Sequence, residues 1–561
     1  MKRRGLRLRA ILTALALVAV LAGCGGSSTG AGDAKRGGVL RIGTSNGIDS
    51  LNPFVGINQD DFAVWLAIYP TLLQYDTTKP GMPYKGSLAT SWKFSEDHKT
   101  LTFTIRDGAT WSDGTPLDAT SAEWSLGVMF KFADGAAGNW GIKDNVTSIK
   151  ATDAHTLVIT YSAPAATALY ALGNTPILPK HVWEEAASGN GKGLKTFVNE
   201  PSGDKPMVGA GPFLLTKYQK GELAMFKTNP SWYGDKPLID GWGLQTFKNK
   251  DALVTALKGG EIDAVGGIPP TALNTVKSGG LVVDEGPALA MRDLIINSNP
   301  DKPKNRELLN LDVRKAMEMA IDRKAIVDTA WLGKASEGST IIPPAGASDG
   351  QEWHNDAIDV VGFDIDGANK LLDQTGYAKG ADGIRVADGH PMRYEIVFAD
   401  DESGAGDRAF QIIQNGFKQI GIEISQKKMD SSAAWEAIYC DDDCQYRDFD
   451  LAMWDWFPAA DPDFMLAAMT CDSWGDWNDS GYCNKEYDAL HQEQKGATDP
   501  KARKVIIDKM QQMVYDARPY IILTYDERID AWSSKWDGFV ESSQGFFNNF
   551  STQSLEKVHL K

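Results

Sequence analysis

The chain has 561 residues, 42% of them hydrophobic and 23% charged, with a formal net charge of -17. That length exceeds one hydrophobic core and predicts two or three domains, with a composition ordinary for globular proteins. The acidic balance excludes nucleic acid, which needs a basic footprint, and broad adhesion to anionic lipid.

At the N-terminus, Lys2, Arg3, Arg4, Arg7 and Arg9 precede an apolar run from Ala10 to Leu21, closed by Ala22-Gly23-Cys24. A basic start, a short apolar run and a small-residue junction form a secretory signal. The run is too short to span a membrane, which takes about 20 apolar residues. With Cys24 at the junction, the segment resembles a bacterial lipoprotein signal. That resemblance implies removal of residues 1–23, lipidation of Cys24 and anchoring to the outer face of the cell membrane. Without its five basic charges the body is nearer -22, so attachment rests on the lipid. Residues 24–36 are rich in Gly, Ser and Ala and read as a flexible tether.

Strand and helix signals then alternate. Gly38 to Gly43 reads as the first strand, and Ser50-Leu51-Asn52-Pro53 as a turn. Leu101 to Arg106 alternates apolar and polar residues, a half-buried strand ended by Asp107-Gly108. Thr120-Ser121-Ala122-Glu123 has the form of a capping box opening a helix, and Thr156 to Tyr161 is another strand. Asp251 to Lys258 is a short helix stopped by Gly259-Gly260. Val313, Ala316, Met317, Ala320 and Ile321 predict a helix over Asp312 to Val327. Phe410, Ile413, Phe417 and Ile420 mark a second, ended by Gly421 before the strand Ile422 to Ile424. Asp499-Pro500 opens a helix that runs through Met513. The mixture predicts an α/β architecture.

Several pieces in order carry a resemblance to the extracytoplasmic solute-binding proteins of ABC importers, family 5, which includes the bacterial peptide-binding proteins. They include Ser50-Leu51-Asn52-Pro53, Leu88-Ala89-Thr90-Ser91-Trp92, Trp111-Ser112-Asp113-Gly114-Thr115-Pro116 and Gly209-Ala210-Gly211-Pro212-Phe213. Gly260-Glu261-Ile262-Asp263, Asp312-Val313-Arg314 with Ala320-Ile321-Asp322-Arg323, and Asp461-Pro462-Asp463 follow. The resemblance implies a periplasmic-binding-protein-like α/β fold of two hinged lobes with an inserted subdomain. Lobe I would comprise 37–78, 201–298 and 525–561, the insert 79–200, and lobe II 299–524. It also implies a monomeric binding subunit without a cofactor, which captures an oligopeptide or peptide-like solute and delivers it to ABC permease subunits with a separate ATPase. An oligosaccharide or glycoside is the alternative solute. The piece at Trp111 to Pro116 is turn chemistry and reads as scaffold; Arg314 and Arg323 read as solvated or structural.

The candidate binding segment runs Met453-Trp454-Asp455-Trp456-Phe457-Pro458-Ala459-Ala460-Asp461. In the peptide binders a Trp followed by an Asp here lines the cleft, and that Asp pairs with the ligand's α-ammonium. Trp456 matches the Trp, but Pro458 or Ala459 stands where the Asp belongs. Asp455 and Asp461 are the nearby substitutes. Strand alternation puts Trp454 and Trp456 on one face and Asp455 on the other. Trp435, Phe457, Trp474 and Trp477 add aromatic surface, with Asn478 and Tyr482 as polar neighbours. Flat aromatic walls suit side chains and sugars alike. Asn58 and Asp61 lie on a loop that borders the cleft in the family, and Trp140 in the insert is a candidate for its mouth.

Beyond Cys24, the cysteines are Cys440, Cys444, Cys471 and Cys483. In an exported chain they predict two disulfides, here taken as the local pairs Cys440–Cys444 and Cys471–Cys483. Without a C-x-x-C, a metal site is not expected. The seven histidines are scattered, and neither a nucleophile elbow nor a phosphate loop is present. A binding protein is expected, not an enzyme.

Overall fold

Two long antiparallel strands, Val282–Ile296 and Tyr520–Trp532, organise the chain. The computed structural model describes residues 35–48, 50–56, 59–132, 145–399, 404–438, 447–474, 477–548 and 551–561. Among the described residues the long strands hold the centre of an 11-stranded sheet, with Ala335–Glu337 pairing with Tyr520–Trp532 beside the main path. Leu451–Trp456, Arg393–Ala399 and Glu423–Met429 extend it on one side. Ala264–Val265, Val39–Thr44, Gly241–Thr246, Leu223–Thr228 and Phe213–Gln219 extend it on the other. The pairing of the long strands lapses between Pro287 and Met291. Proline has no amide hydrogen for a ladder, so the break falls where the two α/β halves meet.

In the first half, Leu40, Ile42, Phe213, Trp242 and Leu244 pack with Val64 and Ile68 of the helix Gln59–Ile68. The same core runs into a separate four-stranded antiparallel sheet of Ala89–Phe94, Thr100–Ile105, Thr156–Tyr161 and Val146–Asp153. Leu101, Phe103 and Ile105 point inward from alternate positions, as period-2 patterning requires. Trp111 is 1% exposed and packs in this core.

The second half covers its sheet on both faces. Leu294, Ile396, Leu451 and Ile521 face the helices Leu311–Met319, Ile365–Gln374 and Ala405–Gln419. Met291, Ile295, Ala452 and Ile522 face Ser431–Ile438, Asp463–Ala468, Lys485–Gly496 and Pro500–Ala517. Each such large apolar side chain contributes about 1.5–3 kcal/mol on burial.

Two helices differ from expectation. The first is Ala119–Lys131, capped by Asp118, which accepts from the backbone N–H of Thr120 at 2.9 Å and of Ser121 at 3.0 Å. Aspartate outranks threonine as a cap, and Glu123, assigned to the box, instead accepts from the Ala151 N–H at 3.0 Å. The predicted helix 312–327 stops at Met319. Asp322 caps a new turn there by accepting from the Ala325 N–H at 2.8 Å. Arg323 is buried and donates to Glu318 at 2.9 Å and to the Ile522 carbonyl at 2.8 Å. That anchorage turns the chain, so Arg323 is structural.

The halves touch through side-chain packing and backbone hydrogen bonds. Tyr75, Met82 and Tyr170 pack against Leu289, Ala347 and Ala460. The Gly350 N–H donates to the Gly81 carbonyl at 2.9 Å, and the Ala166 N–H to the Lys495 carbonyl at 2.7 Å. Gly81 has φ 71, and a Cβ there would lie 2.5 Å from the Gly350 carbonyl carbon.

Candidate functional site

The strand Leu451–Trp456 delivers its C-terminal end to this contact, because Ala459 and Ala460 just beyond it pack with Tyr75, Met82 and Tyr170. The region where the family places an ammonium-binding Asp is therefore filled by an apolar contact between the halves. Cross-strand register sets Trp456 opposite Met291, Asp455 opposite Arg292 and Trp454 opposite Asp293. Directly opposed residues project to the same face, so Trp454, Trp456 and Asp293 share one face and Asp455 lies on the other.

The tryptophans converge. Trp454 lies 5.6 Å from Trp435, Trp435 lies 5.9 Å from Trp477, and Trp477 lies 6.3 Å from Trp456, between ring centroids. Phe464 packs edge-on to Trp477 at 5.3 Å. Such tilted and edge-on pairs each add about 0.5–1.5 kcal/mol beyond burial. Their exposure differs: Trp456 is 4% exposed and belongs to the core, Trp454 and Trp477 are half-buried, and Phe457 is 64% exposed. Trp435 and Trp474 are half-buried too, so the partly exposed aromatic surface includes Trp435, Trp454, Trp474, Trp477 and Phe457.

A disulfide joins Cys471 and Cys483 and closes the loop that carries Trp477. Asn478 is 2% exposed and donates to the carbonyls of Thr470 at 3.0 Å and Tyr482 at 2.7 Å. Its amide shapes this loop and is not presented to a solute. Cys24, Cys440, Cys444, Asn58 and Trp140 lie outside the described residues.

The candidate acids have partners. Asp455 faces Arg292, whose Nη1 is 3.5 Å away. Arg292 also donates to Asp526 at 3.1 Å and lies over the Trp331 ring at 4.3 Å. Asp461 is buried and accepts two hydrogen bonds from Arg503, each 2.7 Å, with Ser348 and the Asp463 N–H as further donors. Asp461 closes an internal ion pair, and a solute ammonium there would have to displace Arg503. Beside it Asp463 accepts from Gln494 and pairs with His491 at 3.1 Å. Although burial opposes it, the His491 contact holds the Asp463 carboxyl well below the ordinary range. Asp61 is fully buried and accepts from the Ser50 N–H at 3.2 Å. Its neighbour Asp60 accepts from the Thr44 hydroxyl at 2.6 Å, and burial pushes its carboxyl up to about 6. Among the described residues no three potential metal ligands form a group able to hold an ion.

Sequence reasoning passed over Arg292, Arg503, Asp293 and Asp479. For Asp293 a signal existed, a charge inside the apolar run Leu289 to Ile296.

Residues 83–477 match the family described as bacterial extracellular solute-binding proteins, family 5, middle region, and the chain belongs to that family. It is 27% identical over 560 residues to "Protein XP55" of Streptomyces lividans, covering 98% of this chain and 96% of that one. It is 28% identical over 510 residues to the "Probable D,D-dipeptide-binding periplasmic protein DdpA" of Escherichia coli, covering 90% of this chain and 91% of the other. In fold it is similar to the crystal structure of the ABC transporter substrate-binding protein CtaP from Listeria monocytogenes. The TM-score is 0.78 at 23% identity, covering 94% of this chain and 100% of that one.

Proposed function

We propose that the chain is the solute-binding subunit of an ABC importer that closes its two halves on an oligopeptide or peptide-like solute. It hands that solute to a membrane permease driven by a separate ATPase. The observation that carries this reading is the half-exposed aromatic wall of Trp454 and Trp477, at the end of a strand next to the junction of the halves. Aromatic surface grips side chains of many kinds, and ligand contacts with both halves favour the closed state. Similarity to a protein named for dipeptide binding favours peptide over sugar. Export and lipidation at Cys24 belong to the same reading, as does a monomer tethered through residues 24–36.

Thermal unfolding of the full chain in detergent tests it, with tetra-alanine and a mixed tripeptide pool in one arm and malto-oligosaccharides in the other. At about a hundred times the dissociation constant a solute adds about 2.7 kcal/mol of stability. A shift with peptides alone is expected. A shift with oligosaccharides alone would replace the solute and keep the architecture. Incorporation of labelled palmitate that Cys24→Ser abolishes tests the anchor.

A further inference from the structure

Behind the aromatic wall lies a second feature. Asp293 is fully buried, and neither of its carboxyl oxygens has a hydrogen-bond partner among the described residues. Asp479, on the disulfide-closed loop, is 3% exposed, with Oδ2 also unpartnered. Its other oxygen accepts from the Tyr520 hydroxyl. Trp456 stands 6.4 Å from Tyr520 between ring centroids, and its indole N–H is buried without an acceptor. Three carboxyl oxygens and one N–H are thus left open together, on the face that Asp293 shares with Trp454 and Trp456.

Buried polar groups in folded proteins are nearly always satisfied, and each exception needs an occupant or a reason. A lone buried carboxylate costs several kcal/mol unless it meets a cation. The contrast within this half is direct, since Asp461 is fully paired with Arg503. Carboxylates beside indole rings are the chemistry that receives an ammonium or guanidinium group, by charge-assisted hydrogen bonding and by cation–π attraction.

We infer that Asp293 and Asp479, under Trp454, Trp456 and Trp477, form a receiving site for a cationic group of the solute. The site takes the role left vacant where Pro458 and Ala459 stand, but reaches the solute from the sheet instead of from the loop. As a peptide-recognition site it rests on the reading above; as a cation site it does not. The open Trp456 N–H suits an acceptor next to the cation, such as the first carbonyl of a peptide.

The surrounding charges agree. Burial first, and then the carboxylates of Asp479 and Asp455, push the Asp293 carboxyl well above its ordinary value, with Arg292 opposing. Burial likewise pushes Asp479 up to about 7 against its bond from Tyr520. Burial thus favours the protonated carboxyl at Asp293, and a cation docked beside it would favour release of that proton.

Binding of four probes to the full chain, measured by titration calorimetry, decides the matter. They are tetra-alanine, N-acetyl tetra-alanine amide, N-acetyl Ala-Lys-Ala-Ala amide and agmatine. The first and third separate a terminal ammonium from a side-chain one; agmatine carries cations and no peptide bond. A cationic probe is expected to bind about tenfold or more tighter than the neutral peptide. Asp293→Asn and Asp479→Asn are each expected to remove that preference. Heats measured in two buffers of different protonation enthalpy are expected to report proton release in the wild type and less in Asp293→Asn. Equal binding of neutral and cationic peptides, or an unchanged preference in both variants, overturns the cation site and leaves the peptide reading standing. Binding of agmatine alone, lost in Asp293→Asn, keeps the site and ends the peptide reading. Binding of none of the four overturns both.

Discussion

Around Asp461 each buried charge has its counterpart. Arg503 grips the carboxylate with two hydrogen bonds, Gln494 accepts from Arg503, and His491 and Gln494 hold Asp463. Around Asp293, in the same half and close to the same strand end, three carboxyl oxygens and an indole N–H stay open. The first group holds a loop in place and is finished without a ligand. The second is incomplete, and its incompleteness is what a binding protein can use. Burial alone does not separate the two acids, because both are almost fully enclosed; the partner list does.

Removing Arg503 should break the finished group with the largest effect. Arg503→Ala leaves Asp461 buried without its cation, and such a loss destabilises by about 3–5 kcal/mol; chemical denaturation measures it. Next comes a pH effect that belongs to the incomplete group. The folded-state value of Asp479, about 7, lies above that of an unfolded aspartate. The folded state therefore holds more protons, and its contribution to stability is complete below about pH 4 and lost as pH rises toward 7. The slope reaches up to about 1.4 kcal/mol for each pH unit. Subtracting the profile of Asp479→Asn isolates it; a difference profile that rises with pH would contradict the assignment.

Replacing Cys471 and Cys483 together by Ser frees the loop that brings Trp477 and Asp479 to the wall. A loop of this size predicts a loss of about 3 kcal/mol, read by thermal unfolding, with weaker binding of any solute that touches Trp477. Smallest and opposite in sign is Asp293→Leu, which fills the incomplete group with apolar volume. It should stabilise the empty protein by about 1–3 kcal/mol. A destabilisation of that size would make Asp293 a structural residue like Asp461.

Much of this was legible in the residues. Period-2 runs such as Leu101 to Ile105 and helical stripes such as Phe410, Ile413 and Phe417 declare which face is buried, so the elements could be placed. That Trp454 and Trp456 share one face followed from alternation alone. The partner of Asp461 did not, because Arg503 lies 42 residues away on the helix Pro500–Ala517, and no local pattern encodes a long-range ion pair. For the same reason the helix through Val313 was drawn too long: its stripe continues through Ile321, while the turn depends on Arg323 reaching Ile522 in a distant strand. Asp293 was visible beside Arg292 in an otherwise apolar run, but only the fold shows that its carboxyl oxygens have no hydrogen-bond partner among the described residues.

The contact between Gly81 and Gly350 has a consequence for how shut this receptor can be. Main chain meets main chain there, with no side chain between. The two halves can therefore approach here until backbone meets backbone. Any residue larger than glycine at position 81 would act as a doorstop, and a receptor that shuts on its cargo would rest ajar.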